Sequence, residues 1–139
     1  MTSILWPLLA QIGWTVLLYG ALTVARKRAV SRGEVDDSAF VLGRDEPPQA
    51  ARISRNLANQ FELPVIFYTL VVLLLLFRQV SAMDVIAAWV FVAGRVVHSL
   101  VQTLTDNVPL RGQVFVINFL AVVVLAGHIA WLAFTGVAS

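Results

Sequence analysis

Apolar residues fall in four long runs, separated by polar stretches of very unequal length. The first run, Ile4 to Ala25, carries no charged side chain. As an α-helix it would cover ~33 Å, enough for the hydrocarbon core of a bilayer. The second run is predicted to be helical over 50–77, the third over 82–104 and the fourth over 112–137. Short turns at 78–81 and 105–111 join the last three. The pattern predicts an all-α membrane protein, an up-down bundle of four transmembrane helices in a single domain spanning 1–139. Pro64 inside the second run removes a backbone donor and predicts a kink, which neighbouring helices in a bundle tolerate.

The one long connection, 26–49, switches to charge, glycine and the Pro47-Pro48 pair. Arg26, Lys27 and Arg28 follow the first apolar run directly, as a stop-transfer flank does. Met1 to Trp6 lacks a basic residue, so this run is predicted to be a retained helix instead of a cleaved signal peptide. Seven of the ten basic residues lie between Arg26 and Arg55, whereas the other two connections carry Arg78 and Arg111. The positive-inside rule therefore predicts a cytoplasmic first loop, with both termini on the opposite side.

Composition narrows the chemistry further. Hydrophobic residues make up 59% of the chain and charged residues 13%, where soluble domains carry roughly a quarter charged, so little is left for a soluble unit. Cysteine is absent, which excludes disulfides, thiolate metal sites and a cysteine nucleophile; any thiol must arrive with a ligand. No basic run alternates with exposed aromatics, so nucleic acid is not an expected partner. The two histidines lack the HxxxH or ExxH spacing of a metal site, and no phosphate loop, nucleophile elbow or catalytic triad occurs.

What remains is a set of polar residues inside the apolar runs. Arg52, Arg55, Asn59 and Glu62 follow one another at offsets of three, four and three, which places them on one stripe of the second helix. Glu62 lies about 10 Å deeper than Arg55, where an unpaired carboxylate costs several kcal/mol. Arg95, His98 and Gln102 form a similar stripe on the third helix, with Arg95 near mid-span. A mid-membrane arginine needs a partner, and the antiparallel arrangement predicts a Glu62–Arg95 pair. Arg55, Asn59, His98 and Gln102 gather nearer the cytoplasmic face, with Arg111 at the entry of the fourth helix. Such a pocket suits a small ligand bearing carboxylates. The alternatives are a structural polar network that fixes helix register, and a proton or ion pathway through Glu62, Arg95 and His98. His128, Asn118 and Gln11 read as hydrogen-bonded interhelical packing, and Asp84, Asp106 and Asn107 as helix-end residues.

Two motifs carry a resemblance. Arg55-x-x-x-Asn59-x-x-Glu62-x-Pro64 and Gly94-Arg95-Val96-Val97-His98, followed by Pro109-Leu110-Arg111, resemble the membrane-associated proteins in eicosanoid and glutathione metabolism (MAPEG), over nearly the whole chain. That resemblance implies a homotrimer in a lipid bilayer, with glutathione as co-substrate between protomers and a lipophilic small molecule as second substrate. It implies glutathione binding by Arg55, Asn59, Glu62, Arg95 and His98, thiolate stabilisation by Arg111, and Arg26 or Arg28 as a further cationic contact; Gln102, from the same stripe, is expected to bind in the same pocket. The implied activity is that of a glutathione transferase or peroxidase. Where relatives often carry tyrosines and a serine, this chain has Gln102, Phe115 and Gly112, which favours the alternative of a non-catalytic membrane subunit that keeps the polar core.

Overall fold

A computed structural model describes residues 4–136, and its regular elements there are all helical. Four spans are long and apolar enough to cross a bilayer. Helix α1 (Leu5–Ser31) continues past the predicted end at Ala25, so Arg26, Lys27 and Arg28 are helical. Arginine and lysine are good helix formers, and no breaker intervenes before Gly33, which turns the chain at φ 71°. The loop is thereby shorter than predicted. It includes a 3₁₀ turn at Asp37–Phe40 and folds back on α1, where the Arg26 guanidinium pairs with Glu46 and sits 5.1 Å from the Phe40 ring centroid.

The second span is two helices and not one kinked helix. Helix α2 (Pro48–Ala58) passes through a 3₁₀ turn, Asn59–Phe61, to Glu62, whose backbone (φ −103°, ψ −105°) is not helical. Helix α3 (Leu63–Phe77) then begins with Pro64 in its first turn, where a missing N–H costs nothing. Proline thus acts upstream, starting a new helix where the sequence predicts a bend.

Local chemistry fixes the last two helices. Helix α4 (Ala82–Leu104) opens on a reciprocal cap: the Ser81 hydroxyl accepts from the Asp84 N–H at 3.3 Å, and the Asp84 carboxylate accepts from the Ser81 N–H at 2.7 Å. Helix α5 (Val108–Phe134) starts ahead of the predicted Gly112, because Asn107 Oδ1 accepts the Leu110 N–H at 2.9 Å and Pro109 suits the first turn. Arg111 is consequently helical. The predicted end of the fourth span at Val137, like Met1 to Ser3, lies outside the described residues.

The apolar core occupies the half of the bundle remote from the 32–47 loop. Phe67, Val71, Leu74, Phe91 and Leu125 are fully buried there, with the Phe67 and Phe91 rings stacked at 4.3 Å. Outward-facing apolar side chains are strongly exposed, among them Trp6, Leu17, Leu76, Trp131 and Phe134. Four such spans with apolar outer faces make a multi-pass membrane protein.

Of the three polar residues expected to tie the spans together, Gln11 and His128 do so. Gln11 Nε2 donates to Gln60 Oε1 at 3.0 Å, joining α1 to the 3₁₀ turn. His128 Nδ1 lies 2.8 Å from Asp84 Oδ2, so Asp84, 1% exposed, does more than mark a helix end. Asn118, by contrast, packs against Gly94 with neither amide atom hydrogen-bonded, and the bond expected of it is not made. A Cβ at position 94 would run into Asn118 Oδ1. Gly94→Ala is therefore expected to cost about 1–3 kcal/mol, as overpacking does. Thermal denaturation in detergent checks this, and the added Asn118→Ala change is expected to recover most of the loss.

Candidate functional site

The start of α2 lies beside the α4–α5 turn, where Arg52 donates to Asp106 Oδ1 at 2.6 Å and to the Thr105 carbonyl at 3.4 Å. The polar stripes of α2 and α4 therefore meet at one end of the bundle. There they enclose a cavity of about 350 Å³, within the ~300–1,000 Å³ typical of ligand pockets. Its walls include Arg55, Asn59 and Glu62 from the interrupted second span, Arg95, His98 and Gln102 from α4, and Arg111 from α5. All seven residues of the predicted cluster thus face one space. Leu63, Val108, Gly112 and Phe115 complete its apolar side.

The break in the second span organises the interior. Without a continuous helix, the Asn59 carbonyl loses its helical donor, and Arg95 supplies the replacement: its Nη2 donates to Asn59 O at 3.0 Å. Arg95 is 1% exposed, so the bond joins a buried guanidinium to the half-buried break in the span. Asn59 in turn donates from Nδ2 to Gln102 Oε1 at 2.9 Å. The predicted Glu62–Arg95 ion pair is not formed, and Glu62 makes no salt bridge among the described residues. The 3₁₀ turn and the non-helical Glu62 backbone interrupt the helix between Asn59 and Glu62, and Glu62 is an exposed residue of the cavity wall.

The cavity is charged and holds unused hydrogen-bonding capacity. Three guanidiniums and one carboxylate line it, so its formal charge is positive. Arg95 Nε, His98 Nδ1 and Gln102 Nε2 are buried without a hydrogen-bond partner. An unpaired buried polar atom costs about 1–3 kcal/mol, and in this cavity three such atoms are available to a bound ligand.

A second polar network backs this wall, and the sequence reading missed it. Ser99 Oγ donates to Asn56 Oδ1 at 3.0 Å, Trp14 Nε1 donates to Ser99 Oγ at 3.1 Å, and Gln60 Nε2 reaches the Asn56 carbonyl at 3.1 Å. Asn56 and Gln60 are one helical turn apart, as are Gln11 and Trp14, and that shared spacing was the available signal. The network clamps α1 to α2 and α4 on the side away from the cavity. Arg28, expected as a binding residue, lies outside the cavity: α1 contributes nothing to its walls, and Arg28 is exposed on the extended end of that helix. Arg26 is occupied by Glu46.

Fold and cavity together define a polytopic membrane protein with a cationic polar pocket at the end of the bundle where α2 begins. The family model for the MAPEG family matches residues 4–131, and the chain belongs to that family. Comparison with curated proteins and with solved structures gives no match.

Proposed function

We propose that this chain is a glutathione transferase or peroxidase of the bilayer, with glutathione held in the seven-residue cavity and a lipophilic acceptor arriving through the membrane. The observation that carries this reading is the gathering of Arg55, Asn59, Glu62, Arg95, His98, Gln102 and Arg111 around one space, in a chain of the MAPEG family. Glutathione offers carboxylates for guanidiniums, an ammonium for Glu62, and amides for Asn59, His98 and Gln102. Its chemistry complements that wall group for group.

In this reading Arg111 stabilises the thiolate, because an adjacent guanidinium favours the charged form of a thiol and increases its nucleophilic fraction. The thiolate sulfur then bonds the electrophilic atom of the acceptor as the leaving group departs with its electron pair. The protein supplies positioning and field, and the co-substrate supplies the nucleophile. Arg55, Glu62 and Phe115 are exposed in the single chain, so a homotrimer whose neighbouring copy covers the open flank belongs to the proposal. So does placement of the cavity and the first loop on the cytoplasmic side.

One observation favours a second reading, a non-catalytic subunit that retains the polar core. Phe115 lines the cavity without a hydroxyl, so it donates nothing to a thiolate. Calorimetric titration of the purified protein with glutathione sulfonate separates the two. Binding that is lost in Glu62→Gln supports the glutathione site, and absence of binding at millimolar ligand supports the scaffold.

A further inference from the structure

A second cavity adjoins the first at the end of the bundle. It too measures about 350 Å³, and the two share Arg55, Gln102, Val108 and Arg111 as a common wall. The outer cavity adds Arg52 and Asp106, which face each other across it from α2 and the α4–α5 turn. Their ion pair, 2.6 Å long, lies on the lining of the outer cavity that also carries the shared wall.

The bridge is placed to yield. The side chain of Asp106 is 89% exposed and that of Arg52 39%, so solvent screens the pair and its net attraction is small. The shared wall behind it is rich in cation: neither Arg55 nor Arg111 makes an ion pair among the described residues. Gln102, 6% exposed and lining both cavities, holds Nε2 buried without a partner. An anion at the mouth thus meets three guanidiniums and one competing carboxylate, with an unused amide donor behind them.

We infer that Arg52 and Asp106 form a displaceable latch, in which the Asp106 carboxylate holds the place that a carboxylate of the incoming ligand takes on Arg52. The inference rests on the deeper cavity binding an anionic peptide thiol. Asp106 is then an internal competitor, and Arg52 a ligand-binding residue that the motif reading leaves out. No covalent step is involved, since one carboxylate exchanges for another on the same guanidinium.

Titration of the full-length protein in detergent with glutathione sulfonate tests the latch. Asp106→Asn removes the competitor and is expected to tighten binding by about five-fold, the scale of an exposed ion pair. Arg52→Gln is expected to weaken it by about ten-fold through loss of a charge-assisted bond. The double variant Arg52→Gln/Asp106→Asn is expected to bind no more tightly than Arg52→Gln alone, because a competitor matters only while its target is present. Asp106→Glu restores the carboxylate and is expected to return binding toward the wild-type value. Wild-type binding with unchanged or weaker affinity in Asp106→Asn overturns the latch and leaves the glutathione site standing. Absence of binding in the wild type and in every variant overturns both.

Discussion

Replacing Arg111 with alanine is expected to lower kcat/KM for glutathione conjugation by about 100-fold or more, the usual consequence of removing a preorganised group at a developing or resident charge. Arg111 sits in the first turns of α5 and lines both cavities, without an acidic partner among the described residues to draw off its charge. With Phe115 one turn further along α5, no tyrosine hydroxyl on that face substitutes for it. The loss should fall mainly on kcat, because in the proposed site several other residues hold the tripeptide and Arg111 alone stabilises its sulfur. The ultraviolet absorbance of the bound thiolate reports the same step without an acceptor. It is expected on adding glutathione to the wild type and absent in Arg111→Ala, while Arg111→Lys keeps a charge and should retain part of it. Equal turnover in wild type and Arg111→Ala would remove this residue from the chemistry.

The second large effect is on the fold. Arg95→Ala is expected to destabilise the bundle by about 3 kcal/mol, combining a lost charge-assisted hydrogen bond with the cavity left by a large buried side chain. Arg95 is 1% exposed, and its bond to Asn59 O joins α4 to the gap between α2 and α3. Without it the Asn59 carbonyl loses the side-chain donor that bridges the break. Glutathione binding should fall in parallel, since Asn59 and Glu62 flank that gap on the cavity wall. Arg95→Lys tests the cause: it is expected to recover stability to the extent that an ammonium reaches Asn59 O, and to recover binding less, having no planar fork for a carboxylate. Thermal denaturation and calorimetry on the same samples provide both readouts.

Much of this arrangement is legible in the sequence because the membrane imposes period and length. Apolar runs of spanning length give four helices, and the three- and four-residue offsets of Arg55, Asn59, Glu62 and of Arg95, His98, Gln102 put two polar stripes where helices must meet. Burial then brings all seven groups to one cavity. What the sequence hides is tertiary compensation. Pro64 alone reads as a kink, because nothing local says that a guanidinium on another helix will accept the cost of a complete break at Glu62. With the same break, Glu62 and Arg95 line one cavity without forming the ion pair that a continuous helix predicts.

Other differences arise where one residue type serves two purposes. Basic residues after an apolar run serve both as a topology signal and as candidate ligand contacts, and Arg28 proves to lie outside the cavity. Polar residues beside a site look like part of it or like surface, so Asn56, Gln60 and Ser99 pass unnoticed although they hold α1 against the cavity wall. Asp84 is readable as a cap from Ser81 alone, but its bond to His128 depends on the packing of α4 against α5.

The central claim is that these hydrophilic side chains form one binding site for an anionic peptide thiol. A structure of the protein determined in the presence of glutathione sulfonate tests it most directly. The ligand is expected in the cavity, with its carboxylates on arginines and its sulfonate beside Arg111. A fully occupied ligand elsewhere on the bundle, or an empty cavity at saturating ligand, would contradict it.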